Sequence, residues 1–285
     1  MTQSKNITNI VVTGASGQLG SELRLLLENK DQYQCFFLDR KQLPLDQTLL
    51  IQDILGMYEP DLIIHAAAYT QVDQAEADIA QAYAVNQLAS EEIAQYCRLH
   101  DVRLIALSTD YVFDGSGDMP LTEASPVGPL NVYGKSKLAA EEAIQKWWPE
   151  SIIIRTSWVY SIFGNNFVKT MFRLMQSRAE LSVVNDQFGS PTSARDLAGM
   201  IVSDIVEAES WRPGVYHYAN EGIISWYDFA VAIQEMLQLP CKVQGIPSEA
   251  YPTAAARPKF TALDKSKIIN TFAIQIPFWK DSLRC

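Results

Sequence analysis

The sequence predicts an α/β fold, a doubly wound parallel sheet with a smaller C-terminal part, and three observations predict it. Short apolar or β-branched runs at residues 10–12, 34–38, 61–65, 104–107 and 151–160 alternate with longer helical patterns. That is the rhythm of parallel strands with helices on both faces. The first run enters Thr13-Gly14-Ala15-Ser16-Gly17-Gln18-Leu19-Gly20 and then a helical pattern from Glu22. Polar side chains stand where the fourth run ends, at Ser108-Thr109-Asp110. With 285 residues, 48% of them hydrophobic, the chain can fill such a core.

The loop between the first strand and helix spaces its glycines as G-x-x-G-x-x-G. Gly14 permits the tight turn, Gly17 lets backbone N–H groups approach a pyrophosphate, and Gly20 lets the helix pack closely on the strand. Phosphates would sit at the helix N-terminus, beside Gln18 and Leu19, where unpaired N–H groups favour negative charge. The strand-loop-helix context thus points to a Rossmann-type dinucleotide site rather than a plain turn. The second run ends in Asp39-Arg40, about 20 residues beyond the loop. Asp39 is placed to bind the adenosine ribose hydroxyls, or else caps a turn. The neighbouring Arg40 and Lys41 would accommodate a 2′-phosphate, so NADH and NADPH both stay open. Leu45-Asp46 is expected near the adenine. The third run leads into Ala66-Ala67-Ala68-Tyr69-Thr70, small side chains against which a cofactor can lie. His65 at its end reads as a packed, neutral histidine. An amphipathic helix over 83–99 follows.

Residues 108–137 hold a hydroxyl, a phenol and an ammonium in one short span. A loop rich in Gly and Pro leaves the strand end, and residues 133–148 read as a helix stopped by Pro149. Tyr133 and Lys137 stand four apart, so they share one helix face about a turn apart. A free tyrosine titrates near about 10. A nearby cation is the simplest way to lower that value and make Tyr133 a usable acid or base. Thr109, delivered by the strand end, would hydrogen-bond the same substrate oxygen.

The run over 151–160 carries Trp158, an indole that either walls a sugar pocket or fills core. Further helices are expected from Gly164-Asn165-Asn166-Phe167 through Met175, from Asp196, and from Ser225-Trp226-Tyr227-Asp228-Phe229, with a strand over 214–218. The expected division is residues 1–160 for the dinucleotide-binding domain and 161–285 for a mainly substrate-binding region, part of which returns to the first domain.

A formal charge of −10 without clustered Lys and Arg argues against nucleic-acid binding. No apolar run reaches the roughly 20 residues that cross a bilayer. The start, MTQSKNITN, lacks a signal peptide's apolar core, so a cytoplasmic protein is expected. Cys35, Cys97, Cys241 and Cys285 show no C-x-x-C spacing, which argues against a structural zinc or a redox pair.

Residues 13–20, Asp39, Ser108-Thr109-Asp110 and Tyr133-Gly134-Lys135-Ser136-Lys137 together resemble the extended short-chain dehydrogenase/reductase family. Within it, five stretches look like the dTDP-4-dehydrorhamnose reductases. They are residues 65–73, residues 108–115, Arg155-Thr156-Ser157-Trp158-Val159-Tyr160, Gln187-Phe188-Gly189-Ser190-Pro191-Thr192 and Ala256-Arg257-Pro258. The resemblance runs in order through nearly the whole chain. It implies hydride transfer from NADPH or NADH to C4 of dTDP-4-keto-L-rhamnose, Tyr133 donating the proton, Lys137 holding the nicotinamide ribose and Thr109 orienting. It also implies Asp110 and Trp158 at the sugar, the loop from Gln187 at the thymidine portion and Arg257 at the diphosphate. Members of the family it resembles can form metal-linked dimers through carboxylates. Those positions find no match here, so Mg2+ is left unassigned and a homodimer stays an expectation. Dehydratases of the superfamily resemble Thr-Asp-Glu at the strand end, where this chain has Thr109-Asp110-Tyr111. A dinucleotide-binding subunit that had lost its chemistry is the other rival, against which the intact Thr109, Tyr133 and Lys137 argue.

Overall fold

The computed structural model describes residues 8–283; most of the N-terminal segment read above, and Cys285, lie outside them. Among the described residues β1 (Asn9–Thr13), β2 (Gln34–Leu38), β3 (Leu62–His65), β4 (Arg103–Thr109) and β5 (Ile152–Thr156) come first. They are followed by β6 (Val159–Tyr160), β7 (Glu180–Val184), β8 (Phe188–Gly189), β9 (Thr192–Ser193), β10 (Gly214–His217), β11 (Ile224–Ser225) and β12 (Lys242–Ile246). Six of them form one parallel sheet in the order β10-β5-β4-β3-β1-β2. Covered on both faces, the central strands need apolar side chains at every position, which is why they read as continuous apolar runs.

Strand alternation sorts those side chains into two layers. Ile10, Val12, Ile64, Ile105 and Ile154 pack on one face with Leu23, Leu197 and Ile268. Val11, Ile63, Leu104, Ala106 and Ile153 pack on the other with Ile51, Ile93 and Ile144. Each such fully buried side chain contributes roughly 1.5–3 kcal/mol. The doubly wound fold follows from these two layers. The strand order reverses between β1 and β3, and the crevice outside their C-terminal ends is where such sheets bind ligands.

The short pairs β6–β9, β7–β12 and β8–β11 lie outside the main sheet, around a third core of Tyr160, Met175, Phe229 and Trp279. The helix Phe167–Ser177 begins where Asn166 Oδ1 accepts from Lys169 N at 3.0 Å. The helix Trp226–Met236 begins on a capping box of Ser225 and Asp228. Among the described residues no helix is long and apolar enough to cross a membrane.

Two elements differ from the sequence expectation. The run over 151–160 is not one strand, because Trp158 takes φ +47° and turns β6 away to pair with β9. An apolar run does not reveal a left-handed residue in its middle. The helix over 83–99 divides into a π-helical turn, Ala84–Leu88, and the α-helix Ala89–His100. Asn86 lies buried in that turn, accepting from Tyr69 N at 2.8 Å and donating to Ser136 Oγ at 2.9 Å. Such bulges often mark functional segments.

Candidate active site

A cleft of about 560 Å³ opens at the β1–β3 crevice. It is bordered by Gly14, Gly17, Gln18, Leu19, Asp39, Arg40, Asp46, Ala66, Ala67, Ala68, Tyr133 and Lys137. Two glycines are dictated by close approach. Gly14 has φ +73°, and a Cβ there would lie 2.8 Å from Ala67 Cα. A Cβ on Gly20 would lie 2.3 Å from the Gly14 carbonyl oxygen. Gly20 is not among the residues that border the cleft; its place is the close packing of the helix on the loop and strand.

Asp39 Oδ1 accepts from Gln42 N at 3.0 Å and Lys41 N at 2.8 Å, bonds that hold its carboxyl below the usual range. The turn-cap role is therefore occupied, and the carboxylate still borders the cleft. Arg40 reaches Asp46 at 3.7 Å with its own side chain largely in solvent. His65 is buried, its Nδ1 2.8 Å from Thr13 Oγ1 and its Nε2 3.2 Å from Ser90 Oγ. Burial, aided by Lys137, pushes it down to about 3, so it is neutral.

Tyr133 stands in the first turn of the helix Val132–Trp147, which Asn131 caps by accepting from Gly134 N at 2.8 Å. Gly134 is what lets that turn touch the strand end, since a Cβ there would lie 2.2 Å from the Tyr111 carbonyl oxygen. Gly134→Ala is expected to destabilise the protein by about 1–3 kcal/mol through overpacking, read as a lower urea midpoint at unchanged slope. The Tyr133 phenol lies close enough to Thr109 for that hydroxyl to act on its titration, and its ring meets Tyr111 edge-on at 5.9 Å. Lys137 Nζ donates to the Leu107 carbonyl at 2.7 Å. The three expected reacting groups thus lie together at the end of β4.

Their electrostatics depart from expectation. Burial pushes the Tyr133 phenol up to about 12, with the Thr109 hydrogen bond opposing and Asp110 adding to the rise. Burial brings the Lys137 ammonium down to about 8, against the pull of Glu141. The expectation that Lys137 lowers the phenol is not met, because desolvation dominates both groups. A phenol kept protonated is an acid rather than a base.

The residues expected at the substrate do not border this cleft. Asp110 is buried, accepting from Thr261 Oγ1 at 2.6 Å and Thr109 Oγ1 at 3.1 Å, and burial raises it to about 6. Trp158 stacks on Trp226 with centroids 3.6 Å apart, and Gly189 lies against its indole. Gln187 is buried. Arg257 makes a two-pronged pair with Asp73, Nη1 to Oδ1 at 3.0 Å and Nη2 to Oδ2 at 2.6 Å, and donates to Ala255 O at 2.9 Å. Sequence reasoning missed Thr13, Gln81, Thr156, Gly164 and Asn165 as cleft residues. Gly164 and Asn165 come from the far part of the chain, tied in where Gln18 Nε2 donates to Val159 O at 3.2 Å. Among the described residues no group of three or more His, Cys, Asp and Glu could hold a metal ion, so magnesium gains no support.

The chain is similar to known proteins over nearly its whole length. The family model described as RmlD substrate binding domain matches residues 8–285. A dTDP-4-dehydrorhamnose reductase of Aggregatibacter actinomycetemcomitans is 40% identical over 98% of each chain. The spore coat polysaccharide biosynthesis protein SpsK of Bacillus subtilis is 39% identical over 98% of this chain and 96% of its own. A crystal structure of dTDP-4-dehydrorhamnose reductase from Bacillus anthracis in complex with NADP superposes with a TM-score of 0.91 at 38% identity, covering 97% of each chain. The chain belongs to the dTDP-4-dehydrorhamnose reductase (RmlD) family of the extended short-chain dehydrogenase/reductases, as an NDP-sugar 4-reductase.

Proposed function

We propose that this protein reduces the C4 keto group of dTDP-4-dehydro-L-rhamnose to dTDP-L-rhamnose, using NADPH or NADH. What carries the reading is that Tyr133 and Lys137 border a cleft floored by the glycine loop, with Thr109, buried and outside the cleft lining, beside them at the end of β4. The cleft suits a dinucleotide: backbone at Gly14 and Gly17 is bare of side chains, and the N-terminus of the helix Gln18–Leu27 faces it. Bound there, a reduced nicotinamide supplies hydride. The protein's part is to meet the charge that develops on the substrate oxygen. Thr109 and Tyr133 hydrogen-bond that oxygen, and Tyr133 gives up its proton as the alkoxide forms. Lys137 holds the cofactor ribose. Tyr111, standing where a dehydratase would present a carboxylate, offers no base for water elimination, which favours simple reduction. Asp110, Trp158, Gln187 and Arg257 are assigned to the sugar nucleotide. Residues 161–285 would mainly hold it, with β10 and the helix Ala194–Met200 serving the dinucleotide-binding part.

The test is consumption of reduced nicotinamide after adding dTDP-4-keto-6-deoxyglucose and a 3,5-epimerase, with NADPH and NADH in parallel. Epimerase-dependent consumption supports the assignment and ranks the cofactors. Consumption without the epimerase would point instead to another 4-keto sugar, and none with either cofactor would favour a binding subunit.

Cofactor affinity should also depend on pH. Lys137 is charged below about 8 and neutral above it. Because the charged form is the ribose ligand, affinity for NADPH should fall as pH rises from 7 to beyond 9, measured by fluorescence titration without substrate. Constant affinity over that range would remove Lys137 from the ribose.

A further inference from the structure

Thr109 comes from a strand and Tyr133 and Lys137 from a helix, and something must hold the two in register. The β4–β5 pairing sets Ser108 opposite Arg155. Both share the parity of Ala106 and Ile153, so they point to the face covered by the helix Val132–Trp147. Glu141 descends from that helix into the gap. Arg155 Nε donates to its Oε1 at 2.9 Å, Arg155 Nη2 to its Oε2 at 2.6 Å, and Ser108 Oγ to its Oε1. Ser108, Glu141 and Arg155 are all buried. Arg155 also lies 5.1 Å from the Phe113 ring and 3.5 Å from His217 Nε2. Burial and Arg155 hold His217 neutral, down to about 3, so it adds no second positive charge beside Arg155. A buried ion pair gives little net stability because desolvation offsets its attraction; what it fixes is geometry.

We infer that Glu141 is a positioning residue for the reduction: its carboxylate, shared by Ser108 and Arg155, clamps the helix of Tyr133 and Lys137 to the strand end of Thr109 and sets negative charge one turn from Lys137. This rests on the reading of those three as the reacting groups. Around Lys137 stand Glu141 and Tyr133 on its own helix, neutral His65 on β3, and Arg155 on β5 beyond Glu141. Of these, Glu141 is the group that favours the charged lysine.

The experiment compares wild type, Glu141→Gln and Ser108→Ala, following turnover and, separately, NADPH affinity against pH. Glu141→Gln keeps the shape and removes the charge. It should lower kcat roughly 10- to 100-fold and move the alkaline loss of NADPH affinity to lower pH. Ser108→Ala should lower kcat less and leave that pH limb in place. Folded Glu141→Gln with wild-type kcat, or with a drop at an unmoved limb, overturns the inference. If Glu141→Gln fails to fold, Ser108→Ala decides: reduced kcat with normal NADPH affinity supports the clamp, and wild-type kcat overturns it. A wild-type protein that binds NADPH and never turns over defeats the functional reading instead, while the limb comparison, needing no substrate, still judges Glu141.

Discussion

Tyr133→Phe is expected to lower turnover by roughly 10²- to 10⁴-fold, the usual worth of a positioned acid, and to leave cofactor affinity nearly intact. The substitution removes one oxygen and keeps the ring, so the edge contact with Tyr111 and the first turn of the helix survive. The size of the effect follows from what the phenol does. In a reduction the catalyst must be protonated when hydride arrives, and a phenol pushed up to about 12 is protonated throughout the physiological range. On the proposed mechanism, its loss leaves Thr109 to stabilise the oxyanion and removes the proton donor. The check is single-turnover and steady-state rates beside a direct cofactor titration. Near-normal turnover in the variant would assign the acid elsewhere, with buried Asp110, raised to about 6, the first residue to examine.

Lys137→Ala is expected to weaken cofactor binding roughly 10- to 100-fold, since a hydrogen bond to a charged donor is worth about 1.5–3 kcal/mol and each 1.4 kcal/mol is about tenfold. Turnover should fall as well. The ammonium is buried and donates to the Leu107 carbonyl, so its loss also removes that bond at the strand end beside Ser108 and Thr109. Lys137→Met, which fills the space without a charge, separates the two contributions. A variant that loses turnover while binding NADPH normally would contradict a ribose role and leave Lys137 as a structural donor.

The sequence by itself determined the layers and, among the residues that line the cleft, the glycine loop and the Tyr133–Lys137 pair, because those signals are local. Apolar runs of strand length and helical periodicity are written within a few residues, and so are the Gly14-Gly17-Gly20 spacing and the Tyr133–Lys137 interval. His65 could be read as packed and neutral from its neighbours alone, and its bonds to Thr13 and Ser90 agree. The tertiary structure decided what depends on groups far apart in the chain. Gly164 and Asn165 reach the cleft because β6 turns away at Trp158, a backbone angle that no periodicity encodes. Arg257 is paired with Asp73, and Asp110 is held by Thr261, contacts between distant segments that leave no mark on local composition. The sign of the Tyr133 shift was decided there too. Spacing gives the distance between two side chains, whereas a pKa depends on how much water each has lost, and only the packed fold fixes that.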